Sequence, residues 1–92
     1  IIPGIGVYAV QVYLNGKRYK GMLYIGNRPT LDNGDNITLE VNILNFSGDI
    51  YNNEITVAFI QHVRGDIKFN TLDQLIDQLK KDRETVDNIL TE

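Results

Sequence analysis

The segment Val7–Leu14 and the Asn15-Gly16 pair that follows it constrain the fold more than any other feature of this sequence. Successive side chains of this segment divide into two alternating sets, one for each face of a strand, and the segment is rich in residues of high β-propensity. Both features predict a strand. Asn and Gly together supply the two positive φ angles of a type I′ turn, so a tight hairpin is predicted. Arg18–Ile25 is therefore expected to pair antiparallel with the first strand.

Two further strands are predicted downstream, at Thr38–Phe46 and Glu54–Arg64. The intervening Gly26–Asn36 has no period and is rich in Gly, Asn and Asp, so it predicts a loop. Residues 47–49 predict a turn, and Ile50-Tyr51 begins a short return. Because all the connections are short, we expect the sheet to be mostly antiparallel.

The alternation also assigns side chains to the faces of this sheet. In the third strand, one face carries Leu39, Val41 and Ile43, and the other carries Glu40, Asn42 and Leu44. In the fourth strand, one face carries Ile55, Val57, Phe59 and Val63. The expected fold is a mainly β, small antiparallel Greek-key-like β-barrel over about residues 6–64.

A change of period marks about residues 71–91 as helical, after the barrel. Thr71 and Gln74 fit a capping box, with Thr71 as the N-cap and Gln74 reaching back. One apolar face follows, made of Leu72, Leu75, Ile76 and Leu79. The pattern weakens at residues 80–83, which predicts a kink or a second short helix, with Lys80 and Lys81 solvated. It resumes at Val86, Ile89 and Leu90.

Length and composition limit the chain to one domain, residues 1–92, and exclude several classes of function. A net charge of -3 disfavours nucleic acid and anionic membranes as partners, because both are bound through Lys and Arg. The lack of Cys excludes disulfides and thiolate metal sites. Because we find no long apolar run and no signal-peptide pattern, we expect a cytoplasmic protein.

Chemical signals are few when the residues are considered alone. The sequence contains no phosphate-binding glycine loop and no catalytic triad. Its single histidine, His62, is expected to be structural or on the surface. The irregular segment Gly26–Asn36 is of the kind that often carries function. Neither feature identifies a reaction.

Four segments, in order and with matching spacing, resemble the riboflavin kinase family. The first pair is PGIGVYAVQV with the family's P-x-x-GVYAV-x-V, and the second is YIGNRPTL with IG-x-RPTF. The third pair is LEVNILNFSGDIYNNEI with LEVHLLDF-x-GDLYG. The fourth is RGDIKFNTLDQLIDQLKKD with R-x-E-x-KF-x-SLE-x-L-x-x-QI-x-x-D. The resemblance covers essentially the whole chain and implies the riboflavin kinase-like barrel with its first strand missing.

The resemblance implies phosphorylation of riboflavin by ATP at the ribityl 5′-hydroxyl to give FMN, in the C-terminal module of a bifunctional FAD synthetase with an adenylyltransferase domain. It places Glu40 as the catalytic base, since a carboxylate that accepts the hydroxyl proton assists the transfer. It assigns ATP contacts to Ile43, Asn45 and Tyr51. It assigns riboflavin and FMN contacts to Arg64, Lys68 and Phe69.

Other roles remain open for several of these residues. Tyr51 is equally suited to packing, and Phe69 is also suited to anchoring the helix in the core. Arg64 has the chemistry either to hydrogen-bond to the flavin or to clamp its own loop. Asn45 stands where the family commonly has an acidic residue or His.

One family motif has no match in this chain. The G-x-PTAN segment, whose Thr and Asn hold ATP and its Mg²⁺, lies upstream of the GVYAV strand, and the six residues before Val7 do not match it. The chain is therefore expected to be a fragment without metal ligands, inactive alone and unable to bind Mg-ATP. We expect it to keep weak flavin affinity.

Two alternative functions are considered. A non-catalytic flavin- or nucleotide-binding module is favoured by Asn42 and Asn45, where the family often has His and Asp. Retention of Glu40 and of the R-x-x-x-KF spacing counts against it. A small barrel that binds oligonucleotides would need a basic groove with interleaved aromatics, which this acidic chain lacks.

Overall fold

The computed structural model describes residues 4–30, 34–48 and 53–91. The elements in these ranges are β1 (Gly6–Leu14), β2 (Lys17–Thr30), β3 (Gly34–Ile43), β4 (Ile55–Arg64) and α1 (Leu72–Ile89). The strands form one antiparallel sheet in the order β3-β2-β1-β4, so the expected mainly β, antiparallel class with a C-terminal helix is confirmed. Within the described ranges, no helix has both the length and the hydropathy of a membrane span.

Strand β1 and the first half of β2 form the hairpin that the Asn-Gly pair predicts. Asn15 has a φ angle of 52° and Gly16 one of 79°, as a type I′ turn requires. The two strands pair without a register shift along β1 from Leu14 back to Gly6. The predicted turn and both of its strands are confirmed.

Both faces of β1 are buried, each in its own apolar cluster. The helix-side cluster, which includes residues of α1, consists of Val7, Ala9, Met22, Leu44, Val86 and Leu90, with Tyr24, Val63 and Ile89 packed against it. The opposite-face cluster consists of Tyr8, Val10, Val12, Leu23 and Ile25, with Tyr19, Ile43, Ile55 and Val57 packed against it. The strand is apolar on both faces because it lies between two cores.

The prediction of a loop at Gly26–Asn36 is wrong, because most of this segment belongs to a second, longer hairpin. Strand β2 continues to Thr30, β3 begins at Gly34, and these two residues lie opposite each other. The antiparallel backbone ladder holds the two arms together. Such an arm needs neither alternating apolar side chains nor a high β-propensity, which are the signals on which the strand predictions relied.

Strand β3 begins and ends earlier than predicted, because it starts at Gly34, ends at Ile43 and is followed by a turn at Leu44 and Asn45. Asn45 has a φ angle of 58°, a left-handed conformation that Asn tolerates and that a strand cannot contain. The backbone N–H of Leu44 donates to the carbonyl of Lys20 at 2.9 Å. The return predicted at Ile50-Tyr51 lies outside the described residues, as does the last residue of the turn before it.

Two register shifts in the pairing of β4 with β1 change the side of the sheet on which side chains at the end of β4 lie. They leave Ile60 and Val63 without a partner residue in β1. Each unpaired residue disturbs the alternation of the strand. Ile55 and Val57 pack on the opposite-face cluster, whereas Val63 packs on the helix-side cluster. The prediction that Val63 shares a face with them is therefore wrong.

Helix α1 is one uninterrupted helix. The predicted N-cap is confirmed, because Thr71 Oγ1 accepts from the Gln74 backbone N–H at 3.2 Å. Gln74 reaches back as predicted, but its Oε1 accepts at 3.1 Å from the backbone N–H of Asn70, one residue before the N-cap. The second short helix predicted after residues 80–83 as the alternative to a kink is not formed. Asp82 lies on the inward face there and is buried, so the helix continues through a stretch in which the apolar pattern is broken.

The apolar face predicted for the first half of α1 is mostly exposed. Leu72 is 68% exposed, and Ile76 and Leu79 are also exposed, whereas Val86 and Leu90 are buried in the helix-side cluster. The C-terminal half of the helix therefore attaches it to the sheet.

Val86→Ala is expected to lower the free energy of unfolding by about 1–3 kcal/mol, because it opens a cavity in the helix-side cluster. Leu72→Ala removes a larger side chain from the same helix but should change this free energy by no more than about 0.5 kcal/mol, since Leu72 is exposed. Urea unfolding followed by circular dichroism measures both. Equal losses would contradict the attachment of α1 through its C-terminal half.

Candidate functional site

A cavity of about 440 Å³ lies between the helix-side face of the sheet and the N-terminal half of α1. Its apolar walls are formed by Val7, Met22, Ile67, Leu75 and Leu79, and Val41 of β3 also belongs to the lining. Its polar side chains are Tyr24, Glu40, Asn42, Arg64 and Asp66, and the ring of Phe69 completes the lining. A mostly apolar cavity with a few polar groups is typical of sites that bind small organic molecules, which span about 300–1,000 Å³.

Three residues singled out from the sequence converge on this cavity. Glu40 comes from β3, Arg64 from the last position of β4, and Phe69 from the segment before α1. Glu40 lies opposite Tyr24 in the β2–β3 register and shares its face of β3 with Asn42, as the alternation predicts. Glu40 is exposed, whereas Arg64 and Phe69 are half-buried. The carboxylate therefore lies at the solvent side of the cavity.

A buried ion pair fixes the orientation of Arg64. Its Nε donates to Oδ1 and Oδ2 of Asp82 at 2.9 and 3.0 Å, and its Nη2 donates to Oδ2 at 2.7 Å. Asp82 is 2% exposed and also accepts from Gln78 Nε2 at 3.0 Å. Arg64 Nη1 donates to the Gly65 carbonyl at 3.0 Å, so the guanidinium does clamp the start of its own loop. This two-point attachment holds the group at the cavity wall.

Tyr24 and Asp66 connect the sheet to the segment that precedes α1. The hydroxyl of Tyr24 donates to Asp66 Oδ1 at 3.3 Å. Burial raises the pKa of Tyr24, and the charge and hydrogen bond of Asp66 and the charge of Glu40 raise it further, against a lowering by Arg64. Each raising cause disfavours the phenolate. Tyr24 therefore stays a neutral hydrogen-bond donor at physiological pH.

The other residues assigned from the resemblance do not line this cavity or lie outside the described residues. Lys68 is exposed and is not part of the lining. Ile43 packs against the opposite-face cluster, on the other side of the sheet. Asn45 Oδ1 accepts from Arg83 Nη2 at 3.0 Å in the turn after β3. Tyr51 lies outside the described residues. These four assignments stay predictions.

The residues described here contain no group of three His, Asp or Glu side chains that could hold a metal ion. His62 is exposed and does not line the cavity. Its ring meets the ring of Tyr8 edge-on, with 5.0 Å between the centroids. This position agrees with the structural or surface role expected for it.

Sequence reasoning missed Tyr24, Asp66 and Asp82. The signal for Tyr24 is its register opposite Glu40, which depends on the long second hairpin that was predicted as a loop. The signal for Asp82 is its spacing, since it lies four residues before the buried Val86 and so on the same helix face. The family motif quoted for residues 64–82 has an acidic residue at the position of Asp66 and Asp at the position of Asp82, but a motif alone does not give the contact of Asp66 with the sheet.

Comparisons with known proteins agree with one another. The Flavokinase family model, described as riboflavin kinase, matches residues 1–90. A bifunctional riboflavin kinase/FMN adenylyltransferase of Listeria monocytogenes is 39% identical over 84 residues, covering 91% of this chain and 27% of that protein. The Haemophilus influenzae protein of the same description is 43% identical, covering 90% and 27%. This chain therefore spans about a quarter of the length of these relatives.

A solved structure shares the fold. It is a crystal structure of a Streptococcus pneumoniae protein described as a macrolide-efflux protein, with a TM-score of 0.87 and 39% sequence identity. The match covers 96% of this chain and 29% of that one. At this similarity, the arrangement of the strands and of α1 is common to both chains.

Asp66→Asn is expected to lower the pKa of Tyr24 toward its ordinary value, because it removes a neighbouring negative charge while the burial of the phenol remains. In the wild type, Tyr24 ionises at a higher pH in the folded than in the unfolded chain. Stability is therefore lost as the pH rises past the unfolded pKa, and the variant should lose less. Ultraviolet titration measures this pKa shift. The titration curve of a Tyr24→Phe variant is subtracted, and the difference titration reports Tyr24 alone.

The matched control for this titration is Asp77→Asn, which removes an exposed carboxylate of α1 that does not affect the pKa of Tyr24. It should leave the difference titration unchanged. If Asp66→Asn also left it unchanged, the contact between Asp66 and the Tyr24 hydroxyl would be wrong.

Proposed function

This chain belongs to the riboflavin kinase family, and from that premise we propose that it supplies the flavin-binding part of an enzyme that phosphorylates riboflavin with ATP to give FMN. The observation that carries the proposal is the convergence of Glu40, Arg64 and Phe69 on one cavity of about 440 Å³. This volume lies within the range of sites for molecules of cofactor size.

The walls of the cavity suit the flat, largely apolar isoalloxazine ring of riboflavin. Met22, Leu75 and Leu79 offer apolar surface from the sheet and from α1. Phe69 offers an aromatic ring that stacks on the flavin or meets it edge-on. Arg64 donates hydrogen bonds to the acceptor atoms of the ring. We place the ring between the sheet and α1 for these reasons.

Glu40 lies where a base for the transfer is needed. The ribityl 5′-hydroxyl oxygen attacks the γ-phosphorus of ATP, the bond from that phosphorus to the bridging oxygen breaks, and ADP leaves. The hydroxyl proton passes to the carboxylate of Glu40. Because Glu40 is exposed at the cavity rim, a second substrate has access to it while the flavin ring lies among the apolar walls.

Contacts to ATP are proposed at Ile43, Asn45 and Tyr51, and a further flavin contact at Lys68, all from the family resemblance. The family also implies Mg²⁺ as the partner of ATP. Among the described residues no three His, Asp or Glu side chains cluster, and we assign this ion no ligand in this chain.

We further propose that residues 1–92 are one module of a bifunctional protein with a linked FMN adenylyltransferase domain, as the names of the relatives pair these two activities. Its proposed location is the cytoplasm. With a net charge of -3, it is expected to bind neither nucleic acid nor anionic membranes.

Glu40→Gln in the full-length protein is expected to lower kcat for FMN formation by about 10²–10⁴-fold and to change riboflavin affinity little, because Gln keeps the shape but cannot accept the proton. Steady-state assays of FMN from riboflavin and Mg-ATP measure this. The control is Glu54→Gln, which changes an exposed residue outside the cavity and should keep kcat.

An unchanged kcat in Glu40→Gln would contradict the assignment of the base. The alternative function, a non-catalytic flavin-binding module, is distinguished from the kinase by the wild-type protein. A wild-type protein that binds riboflavin and forms no FMN would favour a non-catalytic flavin-binding module.

Phe69→Ala is expected to raise the Kd for riboflavin by about fivefold or more, because it removes an aromatic surface from the cavity wall. Titration of riboflavin fluorescence measures the affinity, and far-ultraviolet circular dichroism checks the fold. Leu72→Ala, which removes an exposed side chain outside the cavity, should leave the Kd unchanged. Loss of the helical signal in Phe69→Ala would instead identify Phe69 as an anchor of the core.

A further inference from the structure

Asp82 is a charged side chain whose hydrogen-bonding capacity is fully directed to neighbouring protein groups. Each of its oxygens accepts two hydrogen bonds, three of the four bonds coming from Arg64 and one from Gln78. Gln78 lies one turn earlier on the same helix, so α1 supplies both the carboxylate and its neutral partner. At 2% exposed, Asp82 has no access to a ligand and acts on the cavity only through Arg64.

Arg64, by contrast, keeps donors for a ligand. A guanidinium has five N–H groups. The bonds to Asp82 use the Nε–H and one N–H of Nη2, and the bond to Gly65 uses one N–H of Nη1. Two N–H groups therefore remain, one on each terminal nitrogen. Arg64 is half-buried and lines the cavity, so a ligand in the cavity lies beside its guanidinium.

Stability alone gives a weak reason for this ion pair. A buried pair costs several kcal/mol of desolvation per ion, and apolar residues of similar volume often serve as well or better. On the same helix, Leu79 lines the cavity on the turn before Asp82, and Val86 is buried in the helix-side cluster on the turn after it. What the charged pair supplies and an apolar pair cannot is a fixed direction for the guanidinium.

We infer that Asp82 is a positioning residue: it orients Arg64 so that the two remaining N–H groups point to the acceptor atoms of the flavin ring. The identity of this ligand rests on the proposed function. The carboxylate also balances the charge of the guanidinium, so the site favours an uncharged ring with hydrogen-bond acceptors over an anion.

Asp82→Asn in the full-length protein tests this inference. The amide keeps the shape of the side chain but replaces one acceptor oxygen by a group that cannot accept from Arg64. We expect the KM for riboflavin to rise about tenfold or more, with the KM for ATP and kcat at saturating riboflavin within about twofold of the wild type. A residue that served only the fold would lower the amount of active enzyme and leave the KM for riboflavin unchanged.

A second pair of variants covers the case in which Asp82→Asn does not fold. Arg64→Met combined with Asp82→Leu replaces the ion pair by apolar side chains and should fold, since such exchanges are often neutral or stabilising. The double variant should show the raised riboflavin KM. If Asp82 acts only through Arg64, its KM should match that of Arg64→Met alone. Asp77→Asn, on the exposed face of α1, serves as the control and should match the wild type.

The outcomes separate this inference from the proposed function. An unchanged riboflavin KM in Asp82→Asn, beside a wild-type protein that forms FMN, overturns the role of Asp82 alone. An unchanged riboflavin KM in the double variant overturns the proposed flavin contact of Arg64 together with the role of Asp82. A double variant with a higher KM than Arg64→Met overturns it as well, because Asp82 would then act without Arg64. A wild-type protein that neither binds riboflavin nor forms FMN overturns both.

Discussion

Strand β1 is the element on which the rest of the structure depends, because its edges are hydrogen-bonded to β2 and β4 and both of its faces are buried. Ala9, Val10 and Val12 have no exposed surface. Close packing against this strand extends to β2, where a Cβ added to Gly21 would lie 2.7 Å from Cγ2 of Val12. Since the two faces belong to different clusters, β1 determines which side chains of its neighbours face α1 and which face away.

The cavity follows from the way α1 meets this sheet. Val86 and Leu90 place the C-terminal half of the helix in the helix-side cluster, whereas Leu75 and Leu79 of the other half line the cavity. Asp82 lies between these two parts and joins the helix to the end of β4 through Arg64. An ion pair at this junction sets the position of the helix where close apolar packing ends and the cavity begins.

The elements that could be predicted from the sequence are those with a local signal. The turn at Asn15 and Gly16 needs two positive φ angles. The start of the helix needs the hydrogen bonds of its cap. Both requirements can be recognised from a few adjacent residues. The failures depend on contacts distant in sequence. The second hairpin is held by backbone pairing, and the position of Val63 depends on register shifts against β1, neither of which leaves a pattern in its own segment.

The same distinction separates the two carboxylates of the candidate site. Glu40 is exposed at the cavity rim, and its direction follows from strand alternation alone, so its face was predictable from its own strand. Asp82 is buried, and its place depends on a guanidinium 18 residues earlier in the chain. Periodicity treats any charged residue as solvated, which is correct unless a partner shares the burial. A charged residue at an inward helical position is therefore better interpreted as evidence for an opposite charge across the interface. In this structure the opposite charge is Arg64, at the wall of the cavity.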